Sequence, residues 1–313
     1  MKSLPKNFSK CLLATAALLV GASPASAQQV SLGTASAFSV LGGTAVTTSS
    51  STINGNVGSA DAVTLTGTAI NGNLVYTGVL ASTASTISGT STQPLPPQVI
   101  TDLNSAWTSV QSVACTDTTT LAGATITGPK TLRPGVYCTG TALTGAGVLT
   151  LDARGNPNAV WIFKIGAALT GTGFSVVMTN GGQPCNVFWV PGADVTMTTS
   201  AFSGNILAAA NGAAFPAGGS ITMSGGTLAG RALANVAVTM TGANIIGCSA
   251  LPAPPPTCKP RKHDGHDKDH DKCDDGHDGH NGQGKCDDGK DDDKDHGSDS
   301  RFPFESKHKD DKK

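Results

Sequence analysis

Short segments in which apolar and hydroxyl residues alternate recur along the chain. VTMT occupies residues 195–198 and 238–241, ITMS occupies 221–224, and VTLT occupies 63–66. Alternation with a period of two predicts strands with one buried face and one face in water. If such strands stack, their outward side chains form an uncharged ladder of methyl and hydroxyl groups. The predicted outward residues are Thr64, Thr66, Thr196, Thr198, Thr222, Ser224, Thr239 and Thr241.

The spacing of these segments predicts a β-solenoid. From residue 149 onward, alternating strands begin at residues 149, 176, 195, 221 and 238, and residues 30–92 follow the same pattern. More apolar strands follow at 158–166, 185–190, 202–208 and 228–234, with Gly, Asn and Pro at the corners. Repeated strand–turn units of this length are typical of coils that bury their faces against one another. Asp152 and Val177 occupy the outward positions of the two earliest of these strands, so we expect the ladder to be broken there.

One segment has a different period. Val99, Leu103, Trp107, Val110 and Ala114 recur at three- and four-residue steps, which predicts a helix at about 98–114 with one apolar face. The strand AVWIFKI (159–165) is apolar on nearly both faces, as expected of a strand that is covered on its outer side. We therefore expect the helix to pack there, alongside a mostly β solenoid.

The two ends of the chain differ from its body. Three lysines precede an apolar run at 11–20, and ASA (25–27) is a small-residue cleavage site, so residues 1–27 are predicted to be a signal peptide of a secreted, extracellular protein. The solenoid domain is predicted at 28–250. A Pro-rich linker follows at 251–260, and a His/Asp/Lys-rich tail at 261–313 has almost nothing to bury and is predicted to be disordered.

The charge pattern of the body excludes several classes of function. Residues 28–258 contain no Glu and no His. Nucleic-acid binding requires clustered Lys and Arg, and acid–base catalysis on glycosides requires paired carboxylates, so neither a nucleic-acid partner nor an enzyme is expected. No cofactor site is predicted. The charged residues of this part are Asp61, Asp102, Asp117, Asp152, Asp194, Lys130, Arg133, Arg154, Lys164 and Arg231.

The body also contains four cysteines, Cys115, Cys138, Cys185 and Cys248. Cys115 and Cys138 bracket a short Thr-rich segment, and the other two are the natural second pair, although four cysteines allow three connectivities. Cys258, Cys273 and Cys286 form an odd set within the polar C-terminal part.

Six motifs, at 32–58, 134–138, 149–166, 184–189, 202–208 and 228–234, follow one another along the chain. Together they resemble the microbial ice-binding protein family over about residues 30–248. The resemblance implies a discontinuous, roughly triangular β-solenoid flanked by a long α-helix, which adsorbs to ice through one flat face without catalysis or a cofactor. Some members carry a Thr-[Ala/Gly]-x-[Thr/Asn] pattern on that face, and here it occurs at 44–47, 68–71, 83–86, 141–144 and 241–244. The motifs are LGTASAFSVLGGTAVTTSSSTINGNVG (32–58), PGVYC (134–138), LTLDARGNPNAVWIFKIG (149–166), PCNVFW (184–189), FSGNILA (202–208) and LAGRALA (228–234).

The sequence therefore predicts a secreted, monomeric, antifreeze-type protein whose threonine-rich face binds ice and inhibits ice growth and recrystallisation. The alternative is a solenoid adhesin or an extracellular matrix or surface protein without ice activity, and the working face could lie on another side of the triangle. The tail contains all seven histidines, at 263, 266, 270, 277, 280, 296 and 308, and it is predicted either to be a solvating spacer or to bind divalent metal weakly.

Overall fold

The coils of the molecule are built from short strands. Gly, Ser and Asn residues occupy the corners at which the strands end. The computed structural model describes residues 30–209 and 219–248. The strands before the single described α-helix, α1 (Gln98–Ser112), are β1 (Phe38–Gly42), β2 (Ala45–Ser49), β3 (Thr52–Asn54), β4 (Asn56–Ser59), β5 (Ala62–Thr66), β6 (Ala69–Asn71), β7 (Leu74–Tyr76), β8 (Leu80–Thr83), β9 (Thr86–Ile87) and β10 (Ser91–Thr92).

The strands after α1 continue the same arrangement. They are β11 (Thr125–Ile126), β12 (Lys130–Leu132), β13 (Gly135–Thr139), β14 (Leu143–Gly145), β15 (Val148–Asp152), β16 (Trp161–Ile165), β17 (Leu169–Thr172), β18 (Ser175–Thr179), β19 (Val187–Pro191), β20 (Val195–Thr198), β21 (Ala201–Ala208), β22 (Ile221–Ser224), β23 (Thr227–Ala234), β24 (Ala237–Thr241) and β25 (Asn244–Ile246).

All of the described strand pairs are parallel, and they form three flat sides. The first side is a nine-stranded sheet in the order β11-β14-β17-β20-β22-β24-β2-β5-β8. The other two sides belong to one 16-stranded sheet that bends within the long strands β21 and β23. The first half of β23 pairs with β25, and its second half pairs with β1. The predicted mostly β solenoid is therefore confirmed, with three strands in a typical coil.

The solenoid is discontinuous along the chain. The last C-terminal coil stacks directly on the first N-terminal coil, because β24 pairs with β2 and β25 pairs with β3. β1 likewise pairs with β23. Residues from the two ends of the body thus lie side by side in the middle of each sheet, and the coils that flank α1 in sequence form the two ends of the stack.

A large aromatic cluster fills one half of the interior. The rings of Phe163 and Trp189 stack with their centroids 3.9 Å apart, and Phe174 and Phe202 pack against Trp189. Trp161 is also fully buried. Fully burying an aromatic side chain of this size contributes about 1.5–3 kcal/mol each relative to exposure, so these rings account for much of the cohesion between coils.

Helix α1 covers the outer side of one face, as predicted. Its buried residues, including Leu103 and Trp107, join a second apolar cluster that contains Ile162 of β16. The Lys164 ammonium donates hydrogen bonds to the carbonyl oxygens of Gln111 and Val113 at 2.8 and 3.0 Å. A cation at a helix C-terminus is favourable. The helix ends at Ser112, two residues before the predicted limit, because Val113 is extended.

Two disulfides link segments outside the regular strands to the rest of the solenoid. Cys115 pairs with Cys138, and Cys185 pairs with Cys248. No helix in residues 30–209 or 219–248 combines the length and hydropathy that a membrane span requires. Three predicted segments lie outside the described residues: the signal peptide 1–27, the linker 251–260 and the tail 261–313. The same holds for the tail histidines and for Cys258, Cys273 and Cys286.

Candidate functional site

The nine-stranded sheet presents a continuous column of threonines to solvent. Each member pairs in register with the next, from one end of the sheet almost to the other, and all are exposed or partly exposed. Only the last strand, β8, has Ala81 at this position. In stacking order, this first column consists of Thr125, Thr144, Thr170, Thr196, Thr222, Thr239, Thr47 and Thr64.

A second column runs parallel to the first, two residues further along each strand. The hydroxyl of Ser49 donates a hydrogen bond to Thr241 Oγ1 at 3.2 Å, although the two residues are 192 positions apart in sequence. The column consists of Thr172, Thr198, Ser224, Thr241, Ser49, Thr66 and Thr83. We call the two columns together the hydroxyl face.

The strands of the hydroxyl face pair in continuous register, and none of them carries a charged residue. Neighbouring strands are about 4.8 Å apart and residues two apart on a strand about 6.5–7 Å apart, so the first column is roughly 34 Å long. Glycines in β17 and β14 make room for large side chains beneath the hydroxyl face. A Cβ on Gly171 would lie 2.4 Å from Met197 Sδ, and one on Gly145 would lie 2.4 Å from the Phe174 ring.

A left-handed turn follows the second column in each complete coil. Thr199 has φ +45° and Ser50 has φ +46°, and Gly242 takes the same position with φ +63°. The amide of the turn residue donates to the carbonyl of the second-column residue in the next coil, for example from Thr199 to Ser224 at 2.8 Å and from Gly242 to Ser49 at 2.9 Å. This repeated bond holds neighbouring coils in the same register at the edge of the face.

The other two sides of the triangle are poorer candidates. α1 covers the side formed by β13, β16 and β19 together with β1, β4 and β7. The remaining side, which includes β12, β15 and β18, mixes Lys130, Asp152 and Arg231 with exposed Val148 and Val177. Charged groups bind water strongly and the protruding valines break the regularity of that side. The hydroxyl face is therefore the regular, uncharged side that no element of residues 30–209 or 219–248 covers.

All eight of the residues predicted from the sequence lie on the hydroxyl face. They occupy β20, β22, β24 and β5. The expected break in the ladder is wrong. Asp152 and Val177 belong to β15 and β18, which lie in the 16-stranded sheet. The upstream coils instead continue the columns through β17, β14 and β11.

Seven residues of the hydroxyl face were not predicted from the sequence. The prediction rested on segments with two large apolar residues on the inner side of the strand, and the strands of these seven residues do not all have them. In β17 the second inward position is Gly171, in β14 it is Gly145, and in β2 it is the buried Thr48. The Thr-Ala-x-Thr segments at 44–47 and 141–144 did contain Thr47 and Thr144. The segment at 68–71 does not contribute, because Thr68 is buried and β6 lies in the other sheet. The missed residues are Thr47, Ser49, Thr83, Thr125, Thr144, Thr170 and Thr172.

Asp102, Asp117 and Asp152 accept hydrogen bonds within the described body, and none of the three lies on a strand of the hydroxyl face. Hydrogen bonds from Thr120 hold the pKa of Asp117 at about 2, those from Thr34 lower the pKa of Asp102, and one from Asn180 lowers the pKa of Asp152. A general acid requires a raised pKa. In the described ranges, no group of three or more His, Cys, Asp or Glu side chains is placed to hold a metal ion.

Comparisons with known proteins agree with this geometry. Residues 40–246 match the protein family described as Ice-binding-like. The chain is 35% identical over 227 residues to the ice-binding protein of Nostoc sp. (strain HG1), which covers 67% of this chain and 71% of that relative. It is 44% identical over 85 residues to ice-binding protein 1 of Shewanella frigidimarina (strain NCIMB 400), covering 26% of this chain and 10% of that relative. The crystal structure of an ice-binding protein from the Antarctic ascomycete Antarctomyces psychrotrophicus is similar with a TM-score of 0.54 and 27% identity, covering 69% of this chain and 97% of that chain.

Proposed function

This chain belongs to the Ice-binding-like family, and from that premise we propose that it adsorbs to ice through the hydroxyl face. The observation that carries the proposal is the pair of in-register hydroxyl columns on an uncharged sheet that no other described element covers. The adsorbed protein inhibits ice growth and recrystallisation.

The chemistry of threonine suits an ordered water layer. Its methyl groups cage water between the columns, while its hydroxyls, each a donor and an acceptor, hydrogen-bond that water. Ionic groups would organise water around themselves instead. Adsorption also favours a rigid surface, because every side chain that becomes immobilised costs binding entropy, and the β-branched threonine has few rotamers to lose.

Adsorption arrests growth by pinning the ice front. Ice between two adsorbed molecules must bulge outward, and the curvature lowers the local freezing point. The same pinning prevents large crystals from growing at the expense of small ones. No covalent step and no cofactor enter this mechanism.

We also propose that the protein acts outside the cell as a monomer. The lysines and apolar run of residues 1–27 support export, and two disulfides are typical of an oxidising compartment. The metal-binding hypothesis for the tail stays a prediction. Zinc titration of a 259–313 peptide near neutral pH should show weak uptake at several sites, and no uptake would contradict it.

Microscopy of a small ice crystal in a solution of the protein tests the function. We expect a faceted crystal that stops growing over a temperature gap, whereas a round crystal with no gap would contradict ice binding. Thr198→Tyr and Thr239→Tyr test the face, since unchanged activity in both variants would place the working surface elsewhere. Partition of the protein into a slowly grown ice hemisphere, rather than retention on cells, separates ice binding from adhesion.

A further inference from the structure

Three serines lie inside the corner that follows the second column. Ser51, Ser85 and Ser200 each come two residues after a second-column residue, at equivalent positions of three coils. Ser51 and Ser200 are 2% and 1% exposed. Ser85 is partly exposed. The proposed ice contact does not use the two buried hydroxyls directly.

Each of the three hydroxyls joins two neighbouring coils. Ser200 Oγ donates to the carbonyl of Thr198 at 3.1 Å and accepts from the amide of Phe174 in the adjacent coil at 3.2 Å. Ser51 Oγ donates to the carbonyl of Ser49 at 2.8 Å and accepts from the amide of Ala243 at 3.1 Å. Ser85 repeats the arrangement, with both hydrogen bonds at 3.0 Å.

The serines occur where the turn is strained. The residue between the second column and the serine is Ser50, Ala84 or Thr199, with φ of +46°, +50° and +45°. Side chains other than glycine are disfavoured in this left-handed region, and a β-branched residue such as Thr199 most of all. The coils without a serine at this corner all have glycine at the turn, namely Gly67, Gly173, Gly225 and Gly242. After Gly67 the corner residue is Thr68, whose hydroxyl also donates to the carbonyl two residues before it, at 3.3 Å, but accepts from the Thr48 hydroxyl of the adjacent coil, whereas each serine accepts from a backbone amide.

At the corner that follows the second column, a serine thus accompanies each turn in which a residue other than glycine has a positive φ, and each such turn directly follows a residue of the hydroxyl face. We propose that Ser51, Ser85 and Ser200 are positioning residues for ice adsorption, which hold the strained turns and thereby fix the direction and spacing of the second column. The inference rests on the proposed function of the hydroxyl face. The physical route is short, because the carbonyl that Ser200 holds belongs to Thr198, whose side chain is part of that face.

Ser200→Ala tests the proposal, and Ser203→Ala is its matched control. Ser203 is also buried and donates to the carbonyl of Val176 at 2.8 Å, but it lies in β21 outside the hydroxyl face. Both variants lose a hydrogen bond from a buried serine hydroxyl to a carbonyl oxygen, and Ser200→Ala also loses the hydrogen bond from the Phe174 amide, which joins the two coils. At equal protein concentration, we expect Ser200→Ala to reduce the freezing gap by roughly half or more, because one column loses its fixed geometry, and Ser203→Ala to leave it unchanged.

A second variant distinguishes positioning from simple destabilisation. Thr199→Gly/Ser200→Ala reproduces the Thr-Gly-Ala sequence that the protein already has at 241–243, with the strain removed. We expect this double variant to recover most of the freezing gap, although the hydroxyl is still absent. It also remains informative if Ser200→Ala alone fails to fold.

The outcomes separate this proposal from the function on which it rests. Suppose first that Thr239→Tyr abolishes ice activity, so that the hydroxyl face is the working surface. The positioning role is then overturned if the folded Ser200→Ala protein keeps the full freezing gap, or if the folded double variant recovers none of it. If Thr239→Tyr instead leaves the gap intact, the hydroxyl face itself is not the ice-binding surface.

Discussion

A tyrosine at Thr47 tests whether the two halves of the chain form one working surface. Thr47 lies on β2, in the N-terminal half, and pairs directly with Thr239 of the C-terminal half. It was not among the residues that the alternating segments predicted. If the hydroxyl face is continuous, Thr47→Tyr should reduce ice activity as strongly as Thr239→Tyr.

The size of the effect follows from the geometry of the sheet. A tyrosine hydroxyl extends about 4 Å further from the backbone than a threonine hydroxyl. β2 lies six strand spacings, roughly 29 Å, from β11 at the far end. A rigid face that rests on the new side chain and on β11 is lifted by about 2 Å at β20, halfway between them, and by more from β22 to β8. Such a lift exceeds the tolerance of a hydrogen bond, whose preferred O–H···O range spans only about 0.5 Å.

The fold should survive the change. Thr47 is exposed, and surface substitutions of this kind alter the free energy of unfolding by about 0.5 kcal/mol or less. For a body of this size, that corresponds to a shift of about 1–2 °C in the melting temperature. Circular dichroism melting therefore separates loss of the surface from loss of the fold.

The assay is the freezing gap measured by nanolitre osmometry over a range of protein concentrations. Thr108→Tyr is the control, because it introduces the same residue at an exposed position of α1, which covers another side. We expect the gap of Thr47→Tyr to fall to less than half while the control keeps it. A folded Thr47→Tyr protein with the full gap would refute the continuous face.

Three further predictions concern stability and pH. Gly171→Ala should cost about 1–3 kcal/mol, seen in thermal melting, because its Cβ would lie 2.4 Å from Met197 Sδ. Cys185→Ser/Cys248→Ser should cost about 4 kcal/mol in chemical denaturation, from the entropy of a loop of 63 residues. The pKa of Asp117 is lowered from 3.8 to about 2, so the stability that its carboxylate contributes above about pH 4 should be lost as the pH falls toward 2, and Asp117→Asn should remove that dependence while the freezing gap at neutral pH stays unchanged.

The sequence identified the strands whose inner residues were large and apolar, together with the helix and its docking strand. It could not assign strands to sides. The LTLD segment at 149–152 and the VTMT segment at 195–198 have the same alternation, yet they lie in different sheets. Alternation shows that one face of a strand is buried, whereas the side of the triangle that the strand joins follows from its place in the order of strands within a coil, which alternation does not reveal.

The interrupted order of the coils also conceals from the sequence which strands of the two halves are neighbours. Along the chain, β5 is among the first alternating strands and β24 is the last, and the sequence predicts that both belong to one ladder without showing how they meet. Parallel pairing inserts β2 between them, so that Thr239, Thr47 and Thr64 become neighbours. This arrangement places the joint between the two halves inside the hydroxyl face. Any slip of one residue at that joint would turn the threonines of the N-terminal strands inward. The corner hydrogen bonds across it, from Gly242 to Ser49 and from Ala243 to Ser51, therefore maintain the continuity on which the proposed ice surface depends.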